Sequence, residues 1–552
     1  MASIPALAGA AILALASYFA YCARWAGRRA RLPPGPTPVP VLGNAHQLLE
    51  YHQHTFAAWG RQFGPIVYAR FFNVDAIILN SLEVAEDLLD KRGAIYSDRP
   101  NMVMLDDNRL QAEPGPPPAQ RPVAAAASLG PQFGRHNAGA REPSSYPASR
   151  VAEAADRPDS GTRGLHLTRQ EVGKTAERSW DDAHPKDVRR YPSALMMQIA
   201  YGYPVQSADD ELVVLADRAL DETFTLGNFA STAVDLVPIL RHMPEWMPGA
   251  GFKRRALKTR KLVQAMMSTP YEIVRREMVA MASHVNARKS HVPPLQALGV
   301  AKPSFLRSLL EDKEKTGQLT PEEENELKCV SNIFYIAGSE TVATALVSFV
   351  LAMVLHPAVL QKARAEMDGV VGCARLPDLE DRDALPYLEC VLKETYRWNP
   401  SSPLGVAHRV KEDDEYDGYS IPGGSMVIAN IWGMMRDPNI YPEPERFKPE
   451  RFEKRDATDA RTMDPRRAVF GFGRRACPGL DLGDISLWLA IARIVATLDI
   501  RKARDSAGAE ITPAPAFSPG MASRPMPFLC DIRPRSKQAT QLVEELLESV
   551  AA

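Results

Sequence analysis

A cysteine in a loop rich in glycine and arginine gives the strongest chemical signal in the sequence. The loop spans Phe470 to Gly479 and reads FGFGRRACPG, and a helix-like apolar run follows it directly. Cys477 is therefore expected at a junction between a loop and a helix. The helix amides and the neighbouring Arg474 and Arg475 favour a thiolate there. A thiolate bound to heme iron favours cleavage of the O–O bond of dioxygen; a buried loop cysteine is the alternative.

A second stretch places polar groups in the middle of an apolar helix. Residues 322–355 have the length and apolar content of one buried helix, whose centre reads AGSET. Gly338 would let a flat ligand approach the backbone, while Thr341 can bond to a carbonyl one turn earlier and loosen the helix. Burying a carboxylate is costly, so Glu340 needs a reason to be there. Dioxygen could enter such a groove, with an acid and an alcohol to relay protons; an ordinary helix kink is the alternative.

Together the two stretches resemble the cytochrome P450 family. The pattern of its heme-binding loop is matched here at Phe470, Gly473, Arg475, Cys477 and Gly479. The resemblance implies a mainly α-helical fold with a small β-sheet part, and a heme (iron protoporphyrin IX) with Cys477 as its axial metal ligand. It also implies that Arg475 binds a heme propionate, and it makes His408 and Arg409 candidates for the same role. For these last two residues, a sheet-edge pair without a ligand is an equally good interpretation.

Under this resemblance, Gly338, Glu340 and Thr341 are the catalytic residues of dioxygen activation. Thr341 would assist protonation of the distal oxygen, with Glu340 as the carboxylate beside it. The implied enzyme is a heme-thiolate monooxygenase, which inserts one atom of dioxygen into a small hydrophobic organic substrate such as a secondary metabolite, a xenobiotic or a lipid. The chain most resembles fungal microsomal members of the O-methylsterigmatocystin oxidoreductase type, so the choice of substrate rests on analogy.

A charged pair in another apolar helix has a structural rather than a catalytic interpretation. Glu394 and Arg397 lie three residues apart on one helical face. Alone they would be a surface ion pair of little energetic value. The resemblance adds Arg451, from the second of two PERF strings, as the third member of a buried triad that fixes the cysteine loop. The first string, which contains Arg446, has a spacing to Cys477 that fits less well.

Electrons have to come from another protein. The sequence contains no flavin or dinucleotide-binding glycine fingerprint, so the resemblance implies NADPH–cytochrome P450 reductase as the partner. A basic dock for that partner is predicted at Arg466, Arg467 and Arg474. Two other functions stay open: a heme-thiolate peroxygenase, which needs no reductase, and an unrelated binding module on a single membrane helix. The net charge of −1 gives no support for nucleic-acid binding.

The N-terminus predicts a membrane anchor followed by a stiff linker. Residues 4–22 are uncharged and mostly apolar, a length that as a helix crosses about 30 Å of hydrocarbon. Four arginines follow, at positions 24, 28, 29 and 31, and place the rest of the chain in the cytosol. We therefore expect an anchor at 1–23, a basic, proline-rich linker at 24–40, and a single-pass protein of the endoplasmic reticulum membrane in contact with lipid. A cleaved signal peptide is the alternative.

One segment of the predicted heme domain, 41–535, has an unusual composition. Between residues 111 and 160 there are nine prolines and twelve alanines, but four residues of the Leu, Ile, Val or Phe type. Such a composition predicts disorder, and no Trp-x-x-x-Arg segment of the family is found there. We interpret 107–190 as a translated intron or a shifted reading frame rather than a real insertion, which leaves a heme-free, inactive family member as a further alternative. Residues 536–552 are a C-terminal tail.

Local patterns predict three further features. Residues 66–71 and 76–79 predict a hairpin, and 427–431 predict a short buried strand. Ser81 is expected to cap the helix that follows it. Pro270 is expected to break or kink a helix spanning 253–281.

Overall fold

The computed structural model describes residues 31–100, 184–205, 210–226, 240, 242–288, 303–315, 317–453 and 463–551. Two predictions from the sequence fall outside these ranges, namely the membrane anchor at 1–23 and the part of the unusual segment between 107 and 183. Helices make up most of the described residues, in agreement with the predicted fold class.

The helices follow one another along the chain with short connections. They are α1 (His52–Phe63), α2 (Leu82–Ala85), α3 (Gly93–Tyr96), α4 (His184–Tyr201), α5 (Glu211–Leu226), α6 (Gly251–Arg288), α7 (Phe305–Glu314), α8 (Pro321–Leu355), α9 (Pro357–Val370), α10 (Pro386–Trp398), α11 (Ile431–Met434), α12 (Arg466–Val469), α13 (Leu480–Thr497) and α14 (Lys537–Ala551). A π-helical turn, Glu86–Lys91, continues α2.

Helix α8 has clear start and stop signals. Thr320 Oγ1 accepts a hydrogen bond from the Glu323 N–H at 3.2 Å, and the Glu323 carboxylate accepts one from the Thr320 N–H at 3.1 Å. This capping box satisfies two N–H groups at the helix start. Pro321 follows at the first helical position, where no N–H is needed. The helix ends before His356, so the predicted helix of residues 322–355 is confirmed.

Helix α8 runs through the core, packed against α4 and α13. Buried side chains of α8 and α13 belong to one apolar cluster, with Leu346 and Phe349 from α8 and Leu487 and Ile491 from α13. Within the described ranges, α8 alone has the length and apolar character to cross a membrane, and 83% of its most apolar window is buried inside the protein. Because α13 begins directly after the cysteine loop, this shared core fixes the loop relative to α8.

The strands form a four-stranded sheet and two smaller ones in the described part of the chain. They are β1 (Ile66–Phe71), β2 (Val74–Leu79), β3 (His408–Arg409), β4 (Asp414–Tyr416), β5 (Tyr419–Ile421), β6 (Met426–Ala429), β7 (Leu498–Lys502) and β8 (Cys530–Pro534). The order of the larger sheet is β1-β2-β6-β3, in which only β2 and β6 are parallel. The predicted hairpin is confirmed as β1–β2, with Ile66 opposite Leu79. The strand predicted at 427–431 is β6, which ends before α11.

Two local predictions differ from the structure. Helix α6 is not broken at Pro270. Met266, Tyr271 and Val274 are buried in one apolar cluster, so packing on both sides of the proline outweighs the loss of one backbone hydrogen bond. Ser81 occupies the position before α2, but its side chain makes no capping hydrogen bond.

Candidate functional site

Backbone contacts hold the cysteine loop in place. The Cys477 N–H donates to the Phe470 carbonyl at 2.7 Å, which closes the loop on itself. Gly473 has a φ of 52°, and a Cβ there would collide with the Leu89 carbonyl and lie 2.9 Å from the Asp90 Cα. Only glycine fits such a position. The loop is therefore seated directly on the π-helical turn after α2.

The Cys477 thiol is accessible but poorly solvated. The residue is exposed to solvent, while protein atoms around the sulfur desolvate it. This burial raises the pKa of the Cys477 thiol, and a hydrogen bond from the Gly479 backbone lowers it in part. The helix amides and arginines thus do not outweigh desolvation, contrary to the expectation from sequence. A bound metal ion deprotonates a coordinating thiol outright, so the thiolate here depends on the metal.

A cationic cluster lies beside this loop. Arg475 Nε donates to the Ser97 carbonyl at 2.7 Å, and Arg99 Nη1 donates to the carbonyls of Val406 and Ala407 at 2.6 and 2.8 Å. Burial, together with the charge of Arg475, lowers the pKa of Arg99 to about 10. The Arg99 Nε is buried and has no hydrogen-bond partner among the described residues. A buried guanidinium with an unmatched donor fits a carboxylate ligand.

His408 and Arg409 do not act as a pair. Successive side chains of a strand point to opposite faces, and His408 is buried whereas Arg409 is half-exposed, 4.0 Å from Asp98. His408 Nδ1 lies 2.8 Å from the Tyr96 carbonyl, and burial and Arg99 lower the pKa of His408 to about 4. A carboxylate bound at Nε2 would have to raise that pKa. The structure thus corrects the predicted pair: Arg409 lies outside the cluster, while the role of His408 stays a prediction.

The polar centre of α8 is divided between two environments. Glu340 is 3% exposed, and its Oε1 accepts hydrogen bonds from Arg524 Nε and, at 3.4 Å, from Thr344 Oγ1. Thr341 is half-buried, and its Oγ1 donates to the Ala337 carbonyl at 2.7 Å, the expected bond to the preceding turn. The acid is therefore engaged in an internal ion pair, while the neighbouring alcohol remains accessible to solvent.

Gly338 has a different role from the one expected. A Cβ on this residue would lie 2.5 Å from both Cε and Sδ of Met196 in α4. The space that a side chain would take is thus occupied by a methionine of the neighbouring helix, and the glycine permits close packing of α4 on α8. This corrects the prediction that Gly338 leaves room for a flat ligand.

The charged triad is assembled and buried. Glu394 and Arg397 are fully buried, and Arg451 is 4% exposed. Arg397 Nε and Nη2 donate to the two Glu394 oxygens at 2.7 and 2.8 Å, the bidentate geometry that a guanidinium favours. Arg451 Nε donates to Glu394 Oε2 at 3.1 Å, and the Lys448 N–H donates to Oε1 at 2.7 Å. The single carboxylate is therefore matched by two cations and a backbone donor.

The triad acts mainly on the segment that follows α11. Arg397 Nη1 donates to the carbonyls of Met435 and Pro444 at 3.0 and 2.8 Å. The connection from this segment toward the cysteine loop is the Tyr441 hydroxyl, which donates to the Met463 carbonyl at 3.0 Å. The triad thus positions the approach to the cysteine loop through an intermediate residue.

The arginines predicted to form a basic dock are in different situations. Arg466 forms ion pairs with three carboxylates, those of Asp464, Glu389 and Asp484. Arg467 pairs with Glu86 at 2.6 Å. Arg474 is exposed on the cysteine loop. Internal carboxylates therefore neutralise two of the three charges.

These features fit a heme and define the class of protein. The Cys477 thiol is an accessible ligand for iron at the start of a buried helix, and the Arg99 Nε is an unmatched donor for a propionate beside it. A long core helix carries an acid and an alcohol, Glu340 and Thr341, at its centre. The combination is that of a heme-thiolate protein.

Comparison with known proteins identifies the family. A family model described as Cytochrome P450 matches residues 33–115 and 170–525. Cytochrome P450 monooxygenase 176 of Postia placenta is 42% identical over 533 residues, which cover 96% of this chain and 95% of that protein. Cytochrome P450 monooxygenase 136 of the same fungus is 41% identical over 517 residues (93% and 91%). Cytochrome P450 monooxygenase claR of Ampulloclitocybe clavipes is 35% identical over 522 residues (94% and 89%).

The chain therefore belongs to the cytochrome P450 family. The family binds heme through a cysteine thiolate, and the named relatives are fungal monooxygenases, so this protein is an oxidoreductase that incorporates oxygen. Residues 116–169 lie outside the family match. They fall within the segment of unusual composition identified from the sequence.

Sequence reasoning missed two arginines of this site. Arg99 was noted only as the end of an ordered stretch, and its contacts lie more than 300 residues away, at Val406 and Ala407. Arg524 was not singled out, and its partner Glu340 is 184 residues distant. A charged residue beside a proline is the sole local signal for either. Only the fold shows which partner each one has.

We expect Arg99→Gln to weaken heme retention about 10- to 100-fold, because a hydrogen bond to a charged group is worth about 1.5–3 kcal/mol. The rate of heme transfer to excess apomyoglobin, followed by absorbance, measures this loss. Arg409→Gln is the matched control, since Arg409 is half-exposed and outside the cluster. Equal transfer rates in the two variants would show that the cluster does not hold a propionate.

Proposed function

We propose that this protein is a microsomal monooxygenase that inserts one atom of dioxygen into a small hydrophobic organic substrate. The accessible Cys477 thiol, seated between the π-helical turn and α13, is the observation that carries the proposal. NADPH supplies the electrons through a separate cytochrome P450 reductase. The exposed Arg474 is the part of the predicted dock whose charge faces solvent.

Bound heme supplies the redox chemistry that reduces and cleaves dioxygen. Cys477 is the axial ligand, and Arg99, Arg475 and His408 hold the propionates. On the other side, Thr341 and Glu340 move protons toward the reacting oxygen. The relatives are named as monooxygenases of wood- and litter-type fungal genomes only by their organisms, so a secondary metabolite, a xenobiotic or a lipid is the proposed substrate class by analogy. An N-terminal anchor at 1–23 places the enzyme on the endoplasmic reticulum.

The reduced, carbon-monoxide-bound difference spectrum of the full chain tests this proposal. A strongly red-shifted Soret band is expected, since it reports heme with an intact thiolate ligand. Absence of a heme band would support the heme-free alternative, in which the segment 107–190 has destroyed the site. Turnover with hydrogen peroxide but not with NADPH and reductase would favour the peroxygenase.

We expect Thr341→Ala to divert electrons from product to hydrogen peroxide, because the hydroxyl that assists protonation is lost. The fraction of consumed NADPH recovered as peroxide should rise several-fold. Thr341→Ser is the control, since it keeps a hydroxyl able to donate to the Ala337 carbonyl. If the alanine and serine variants release the same fraction of peroxide, the hydroxyl has no part in the relay.

A further inference from the structure

Arg524 joins two helices that have no sequence proximity to it. The residue lies in the segment between β7 and β8, and its Nε donates to Glu340 Oε1 in α8. Its Nη1 donates to Asp221 Oδ1 in α5 at 2.7 Å. The Arg524 side chain is 23% exposed, that of Glu340 3% and that of Asp221 54%. One guanidinium thus bridges a buried carboxylate and an exposed one.

The backbone next to Arg524 is fixed to α8 by a second set of hydrogen bonds. The Ser523 N–H donates to the Ser401 carbonyl at 2.9 Å, and Ser401 Oγ donates to the Thr341 carbonyl at 3.0 Å. Asn399 Nδ2 donates both to Ser348 Oγ at 2.9 Å and to the Ser523 carbonyl at 2.7 Å. The guanidinium is therefore presented to Glu340 from a rigid support that also contacts the carbonyl of the adjacent Thr341.

We propose that Arg524 is the positioning residue of the proton relay: it holds the Glu340 carboxylate in α8 and links it to α5 through Asp221. This inference rests on the proposed function, in which Glu340 takes part in proton delivery. Removing the cation from a buried ion pair leaves an uncompensated buried charge, so Glu340 would change its orientation or its protonation. Asp221 is exposed and better solvated, so it depends less on Arg524.

The bridge also makes Glu340 sensitive to the position of α5. A displacement of α5 that carries Asp221 away removes one of the two carboxylates that share Arg524. Reduction of dioxygen by two electrons consumes two protons and yields either hydroxylated product and water or, when protons reach the wrong oxygen, hydrogen peroxide. A misplaced Glu340 therefore shifts electrons from product or water to peroxide.

The test uses the full-length holoenzyme with purified reductase and NADPH, without added substrate. We expect Arg524→Gln to raise the fraction of NADPH recovered as peroxide several-fold and to change its solvent isotope effect in D₂O. In a Glu340→Gln background, Arg524→Gln should add nothing, because it acts through that carboxylate. Arg524→Lys should restore part of the wild-type value, and Asp221→Asn should raise peroxide less than Arg524→Gln does.

A second readout does not depend on turnover. Hydrogen–deuterium exchange of peptides from α5 and from 516–526 should be faster in Arg524→Gln than in the wild type, because the link between them is lost. Arg364→Gln is the matched control: Arg364 is 20% exposed and pairs with Asp499 at 2.7 Å, between α9 and β7. It should change neither the exchange of these peptides nor the peroxide fraction.

Two results would overturn the proposal, and they are distinguishable from failure of the proposed function. Faster exchange with an unchanged peroxide fraction would show that Arg524 is only structural. Additive effects of Arg524→Gln and Glu340→Gln would show that Arg524 does not act through Glu340. A wild-type protein without a red-shifted carbon-monoxide band would instead overturn the proposed function, and the relay with it.

Discussion

Replacing Cys477 with Ser should abolish the red-shifted carbon-monoxide band and reduce monooxygenase activity by more than about 100-fold, since even the outer partners of a metal ligand are worth about 10–100-fold. Serine has nearly the same shape but a hydroxyl that is far harder to deprotonate than a thiol. Burial already raises the pKa of the Cys477 thiol, so the same environment is more unfavourable still for an alkoxide. The spectrum and the NADPH-driven turnover of the purified variant measure both effects.

The fold should survive this substitution. The loop is closed by the backbone hydrogen bond from Cys477 to Phe470 and by the close approach of Gly473 to Leu89, neither of which involves the sulfur. The free energy of unfolding should therefore change by no more than about 0.5 kcal/mol, as for other exposed substitutions. Cys373→Ser, at another exposed cysteine, is the control and should keep the full band. A normal band in Cys477→Ser would place the metal ligand elsewhere.

The features that the sequence predicted well are those with a local signal. The bounds of α8 follow from its apolar run and from a capping box encoded by Thr320 and Glu323. The β1–β2 hairpin follows from two β-prone runs with a turn between them. The cysteine loop has a spacing of glycine, arginine and cysteine that is readable without any fold.

The features that the sequence did not predict depend on which elements meet in space. Nothing local shows that Met196 fills the space above Gly338. Likewise, the sequence HR at 408–409 cannot show that strand alternation buries one side chain and exposes the next, although it does so once the strand is known. Arg99 completes the cationic cluster only because two segments more than 300 residues apart are brought together.

The second large effect is expected in the buried triad. Arg451→Gln should lower the free energy of unfolding by about 3–5 kcal/mol, because it leaves the buried Glu394 carboxylate one cation short. Glu394 is fully buried and Arg451 is 4% exposed, so water cannot readily replace the lost charge. Urea unfolding followed by circular dichroism, at a fixed heme content, measures the change.

The duplicated PERF string supplies a control within the same segment. Arg446 stands in the first string as Arg451 does in the second, but its side chain is 72% exposed and pairs with Glu443 at the surface. Arg446→Gln should therefore cost no more than about 1 kcal/mol. Similar losses in the two variants would mean that burial does not distinguish the strings. Because the Tyr441 hydroxyl connects this segment to Met463 ahead of α12, Arg451→Gln should also speed heme loss, whereas Arg446→Gln should not.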